Sequence, residues 1–139
     1  MPHATSGKHK IKAFIYRYSA ALQAGWALII FILCATPGQY IPSASWLELL
    51  SFDKWVHAGI FFVLSSLHLI TAAKNKKGRA LLLAGIALCI TYGGLLEVMQ
   101  AKCFSNRSAD WQDFVANSVG CLMALAVSRR LKKVFAPNE

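Results

Sequence analysis

Residues 53–79 read DKWVHAGIFFVLSSLHLITAAKNKKGR, and this stretch decides the fold. Its centre, 55–73, carries no lysine, arginine, aspartate or glutamate. A helix rising 1.5 Å per residue needs roughly 17–25 such residues to cross a hydrocarbon core. Asp53 and Trp55 stand at one end of the run, and Lys74, Lys76, Lys77 and Arg79 at the other. Acid and aromatic at one face with cations at the opposite face is the pattern of an oriented membrane span.

Working outward, three further apolar runs of similar length occupy 18–36, 80–96 and 111–128. They account for a hydrophobic content of 56% and a mean hydropathy of +0.45, above the range of a soluble domain of this size. The charges sort with the runs. Glu48, Asp53, Glu97, Asp110 and Asp113 fall at one side, and Glu139 alone lies at the far terminus. Lys8, Lys10, Lys12 and Arg17, then the 74–79 cluster, then Arg129, Arg130, Lys132 and Lys133 fall at the other. The expected fold class is an all-α membrane protein of four transmembrane helices with both termini cytoplasmic. Residues 1–17 and 129–139 are expected as basic tails, the first ten residues being disordered, around a four-helix domain at 18–128. The first run is expected to be retained rather than cleaved, because Pro37 follows Thr36 and no small-x-small site is present.

A net charge of +9 in a soluble chain would suggest nucleic acid. Here the basic clusters serve topology and contact with anionic membrane lipids, so no nucleic-acid site is expected. Cys34, Cys89, Cys103 and Cys121 lack C-x-x-C spacing, and three of them lie inside runs, where cysteine behaves as a small hydrophobe. In the first outer loop, 45–50 reads as a short interfacial helix capped by Ser45 with Glu48 at its third position. Trp46, Trp55 and Trp111 fall at the same face, as interfacial anchors do.

The chemistry gathers at that face. Asp53 and His57 are four apart and share one side of the second run, with Lys54 beside them. Glu97 and Gln100 close the third run, following Gly93 on the same side. Asp110, Asp113, Asn117, Gly120 and Ala124 form one helical stripe, polar at its mouth and small deeper in. Polar groups at such depth face the bundle interior, so the three runs are expected to share a cluster, with Arg107 as its cation. The catalytic candidates are His57 as general base, Asp53 at i−4 to orient it, Glu97 and Asp113. The ligand-binding candidates are Lys54, Gln100, Arg107, Asp110 and Asn117. No cofactor and no metal are expected, since Arg107 and Asn117 offer the carboxylates other partners. The metal variant would place Mg²⁺, Mn²⁺ or Ca²⁺ among Asp53, His57, Glu97, Asp110 and Asp113.

These motifs resemble the VanZ-like family of small bacterial membrane proteins. The matching pieces are Asp53-Lys54-x-x-His57, Glu97-x-x-Gln100 and Arg107-Ser108-x-Asp110-x-x-Asp113-x-x-x-Asn117-x-x-Gly120. The likeness spans roughly residues 20–130 and departs at Phe61-Phe62, where relatives carry a tyrosine. It implies a four-span, multi-pass protein of the bacterial inner membrane with a role in envelope physiology. The family's namesake is associated with teicoplanin resistance, a phenotype not carried over to this chain. Three functional classes fit the cluster. One binds or modifies a lipid or lipid-linked cell-wall precursor, and one shields or presents such precursors without catalysis. The third is a small transporter working as a homo-oligomer, an antiparallel dimer, against which the one-sided charge bias counts. The sequence leaves open whether there is catalysis.

Overall fold

The computed structural model describes residues 4–37, 40, 52–105 and 108–135. Every regular element among them is helical: α1 Ala4–Ala35, α2 Phe52–Lys74, α3 Arg79–Lys102, α4 Trp111–Ala126 and α5 Ser128–Phe135. Three helices, α1 from Gly7, α2 and α3, are each long and apolar enough to cross a membrane. The fourth qualifies only when α4 is joined to α5, from which it bends by 58°. Sixteen residues of α4 rise about 24 Å, short of a hydrocarbon core of about 30 Å.

Helix ends follow the local chemistry. α1 stops before Pro37, whose ring disfavours helical backbone in the residue preceding it. Asp53 sits in the first turn of α2 and Lys74 in its last, both matched to the helix dipole. Lys76 then takes the left-handed region with φ 49°. Its amide donates to Ala73 O at 3.1 Å and the Lys77 amide to Ala72 O at 3.0 Å. That pair of bonds is a Schellman closure, built here on lysine instead of glycine. It turns the chain directly into α3.

One expectation, disorder in the first ten residues, differs from what is seen. The amino-terminal basic segment from residue 4 is not a disordered tail, because α1 already includes it. Lysine and alanine are good helix formers, and no proline interrupts 4–35. The carboxy-terminal basic segment is likewise helical through Phe135. Its bend at Val127 precedes Arg129, Arg130, Lys132 and Lys133, which cannot continue into hydrocarbon. Leu131 folds back onto the core while the cations stay outside. The expected interfacial helix at 45–50, with Trp46, lies outside the described residues.

α2 is the central helix, packed most extensively on α4 and also on α1, α3 and α5. Phe61, Leu64, Leu69, Ile30, Leu96, Cys121 and Ala124 form the core between them. Polar ties cross between helices in the body of the bundle: Trp26 Nε1 donates to Ile60 O at 2.9 Å, and Tyr92 Oη to Ala27 O at 2.7 Å. The outside is apolar, with Leu28, Ile32, Leu88, Leu122 and Met123 exposed. Trp55 and Trp111 are 73% and 72% exposed at the starts of α2 and α4, facing outward as interfacial anchors do. Cys34, Cys89 and Cys121 are buried free thiols and Cys103 is an exposed one. Deep in α2, His68 lies under Gly85, and its Nε2 has no hydrogen-bond partner among the described residues.

Candidate functional site

The first turns of α2 and α4 and the last turns of α3 meet at one end of the bundle and bring together most of the polar residues singled out in the sequence. Lys54 is the hub. Its ammonium contacts Asp113 Oδ1 at 2.5 Å, Asp110 Oδ2 at 2.6 Å and Asp53 Oδ2 at 2.9 Å. Asp110 also caps α4, its Oδ1 accepting from the Gln112 amide at 2.8 Å. Its own amide donates to Glu97 Oε2 at 3.1 Å, which ties α3 to the mouth of α4.

One layer deeper, His57 Nδ1 lies 3.0 Å from Asn117 Oδ1. An amide oxygen only accepts, so Nδ1 carries a proton and donates it. Nε2 is thereby turned toward Asp113 Oδ2, 3.5 Å away. Asn117 is 1% exposed and Glu97 6%, so both lie inside the bundle rather than against lipid. Gly93 makes this possible, because a Cβ there would stand 3.2 Å from Asn117 Cβ and from Phe61.

Three expectations shift. Asp53 pairs with Lys54 and not with His57, so the ring is oriented by Asn117 and Asp113 instead. Lys54 is engaged by three carboxylates, and any phosphate at its ammonium competes with them. Gln100 is buried and donates to Cys34 O of α1 at 3.4 Å, a tie between helices. Arg107 lies outside the described residues. The Lys54 hub itself was missed, although its signal is present: a lysine beside Asp53 on one helix and two aspartates three apart on another.

Among the described residues the cluster sets four carboxylates, Asp53, Glu97, Asp110 and Asp113, against Lys54 as its one permanent cation. Those described groups alone carry a negative sum, which a protonated His57 or an entering cation would reduce. Asp110, outside the helices, titrates below its ordinary value because the Lys54 ammonium hydrogen-bonds its carboxylate and the Gln112 amide adds a second bond. A depressed folded value means that stability from this group is complete above its unfolded pKa, about 3.9, and is lost as pH falls through the folded one. Thermal melts from about pH 6 down to about pH 3 should thus fall more steeply for the native chain than for Asp110→Asn, which keeps a capping side chain without the charge. Parallel slopes would remove the Lys54–Asp110 bond from the account.

Below the cluster, an apolar groove of about 390 Å³ opens between α1, α2 and α3. Ala20, Ala24, Ala27, Leu64, Leu88 and Leu95 line it. Comparison with family models, with characterised proteins and with solved structures gives no match.

Proposed function

We propose that this chain is a VanZ-like, multi-pass protein of the bacterial cytoplasmic membrane, with both termini cytoplasmic and the polar end of the bundle facing outward. Its function in this reading is to receive the headgroup of a lipid or lipid-linked envelope component. The convergence of His57, Glu97, Asp113 and Asn117 from three helices at one end of the bundle carries it. Ionisable groups at such depth are costly for a membrane protein and mark sites of binding or transfer more often than packing. The one-sided charge distribution supports the orientation. The apolar groove between α1, α2 and α3 supports a lipid, since it offers an acyl chain a place below the polar layer. Where binding leads to chemistry, His57 is the general base, held by Asn117.

Native mass spectrometry of gently extracted protein tests the reading. The native chain should carry one class of headgroup-bearing lipid, and the folded variants His57→Gln and Asp113→Asn should lose most of it. Equal lipid occupancy in all three proteins would leave the cluster a structural device.

A further inference from the structure

We infer that His57, Glu97 and Asp113 form a binding site for one divalent cation of the Mn²⁺ type. Each offers a ligand atom, and the three atoms lie within 4.8 Å of one another. Metal–ligand bonds of about 2.1–2.2 Å at tetrahedral to octahedral angles place neighbouring ligands roughly 3.0–3.6 Å apart. The 3.5 Å between His57 Nε2 and Asp113 Oδ2 already matches that spacing.

The ring's orientation is the second, independent observation. Asn117 is buried, and its amide oxygen accepts a hydrogen bond from Nδ1. Nε2 is thus aimed at a carboxylate oxygen, 3.5 Å away. An imidazole nitrogen and a carboxylate that converge are joined by a proton or by a metal cation, and the third ligand atom, from Glu97 at the same point, is what a metal site adds. Metal-binding histidines show this same arrangement, with the outer ring N–H given to a carbonyl or carboxylate and the other nitrogen to the ion. Lys54 complements it by holding Asp113 through Oδ1, leaving Oδ2 as the atom that faces His57. One nitrogen with two carboxylates suits Mn²⁺ better than Mg²⁺ or Ca²⁺, which prefer oxygen throughout. The sequence expectation of no metal rested on Arg107 and Asn117 serving the carboxylates, and Arg107 lies outside the described residues. In the fold Asn117 serves His57 instead.

This site deepens the headgroup proposal, since an ion here would help the cluster accept an anionic phosphate; with the ion bound, Nε2 is a ligand and His57 no longer serves as the base. It is tested without lipid, so either idea can fail alone. Full-length protein in mild detergent is stripped with a chelator and titrated with Mn²⁺, and the free-ion paramagnetic resonance signal is followed. One ion per chain should bind, and pulsed measurements should detect coupling to an imidazole ¹⁴N. His57→Gln should abolish that coupling, and Glu97→Gln should weaken binding by at least about tenfold. Folded native protein that takes up no stoichiometric Mn²⁺ overturns the site, whatever the variants do. So does a nitrogen coupling that survives in His57→Gln. Nitrogen-15 spectra showing His57 doubly protonated at neutral pH without ion uptake would assign the position to a proton.

Discussion

Lys54→Met should cost the chain about 2–4 kcal/mol of stability, read as a fall in the melting temperature or in resistance to denaturing detergent. The substitution keeps an unbranched apolar stem and removes the ammonium, with its charge and its hydrogen bonds to Asp110 and Asp113. Three carboxylates that now share one ammonium would then face one another without a counter-ion. Their exposure divides the effect. Asp53 is 57% exposed and Asp110 39%, so water and salt screen both, and each contributes little. Asp113 is 16% exposed, and stranding a mostly buried carboxylate accounts for most of the loss. Adding Asp113→Asn to the methionine variant should therefore recover about 1 kcal/mol or more, whereas the two changes would simply add if the residues were independent. Lys54→Arg keeps the charge on a planar fork and should retain the greater part of the stability, though not the three-way geometry. A methionine variant within about 0.5 kcal/mol of the native chain would show that the hub is an ornament of the surface.

What the sequence disclosed and what it hid follow from the dimension of each signal. Hydropathy and length are properties of one helix against its solvent. They identified α1, α2 and α3 because lipid imposes the same requirement on every face. Helical periodicity is also one-dimensional, and it correctly placed Asp113, Asn117 and Gly120 on a common stripe. That stripe packs against α2: Asp113 meets Lys54, Asn117 meets His57, and Gly120 meets the Ala58 backbone. Choice of partner is a property of two helices and their crossing, and there the reading failed. The i, i+4 rule paired Asp53 with His57, yet α4 brings Asn117 to the ring and leaves Asp53 to Lys54. The bend at Val127 was equally invisible, since no proline or glycine marks it.

Gly120→Ala should be the most damaging single-methyl change in the chain. A Cβ at this position would lie 2.1 Å from Ala58 O, 2.9 Å from Ala58 C and 3.0 Å from Phe62 N. All three are backbone atoms of α2, so no rotamer change relieves the clash, and α2 and α4 must move apart. They are the most extensively packed pair in the bundle. Small residues let membrane helices approach closely and gain dispersion energy along their whole contact. Separation loosens Cys121 and Ala124, both 0% exposed, and draws Asp113 and Asn117 away from Lys54 and His57. Overpacking alone costs about 1–3 kcal/mol, and the lost ionic register raises the expected total to about 2–4 kcal/mol. Two glycines serve as controls. At Gly94 the added methyl meets only the end of the Phe114 ring at 3.2 Å, so the loss should stay below about 1 kcal/mol. At Gly59 nothing lies within 4 Å, and alanine should instead stabilise α2 by about 0.5–1 kcal/mol through helix propensity. In the order Gly59→Ala above native, Gly94→Ala slightly below and Gly120→Ala far below, the large last step is set by the α2–α4 crossing. If Gly120→Ala melted with Gly94→Ala, the two helices could not be as close as the site requires, and the Lys54–Asp113 and His57–Asn117 contacts would lose their support together.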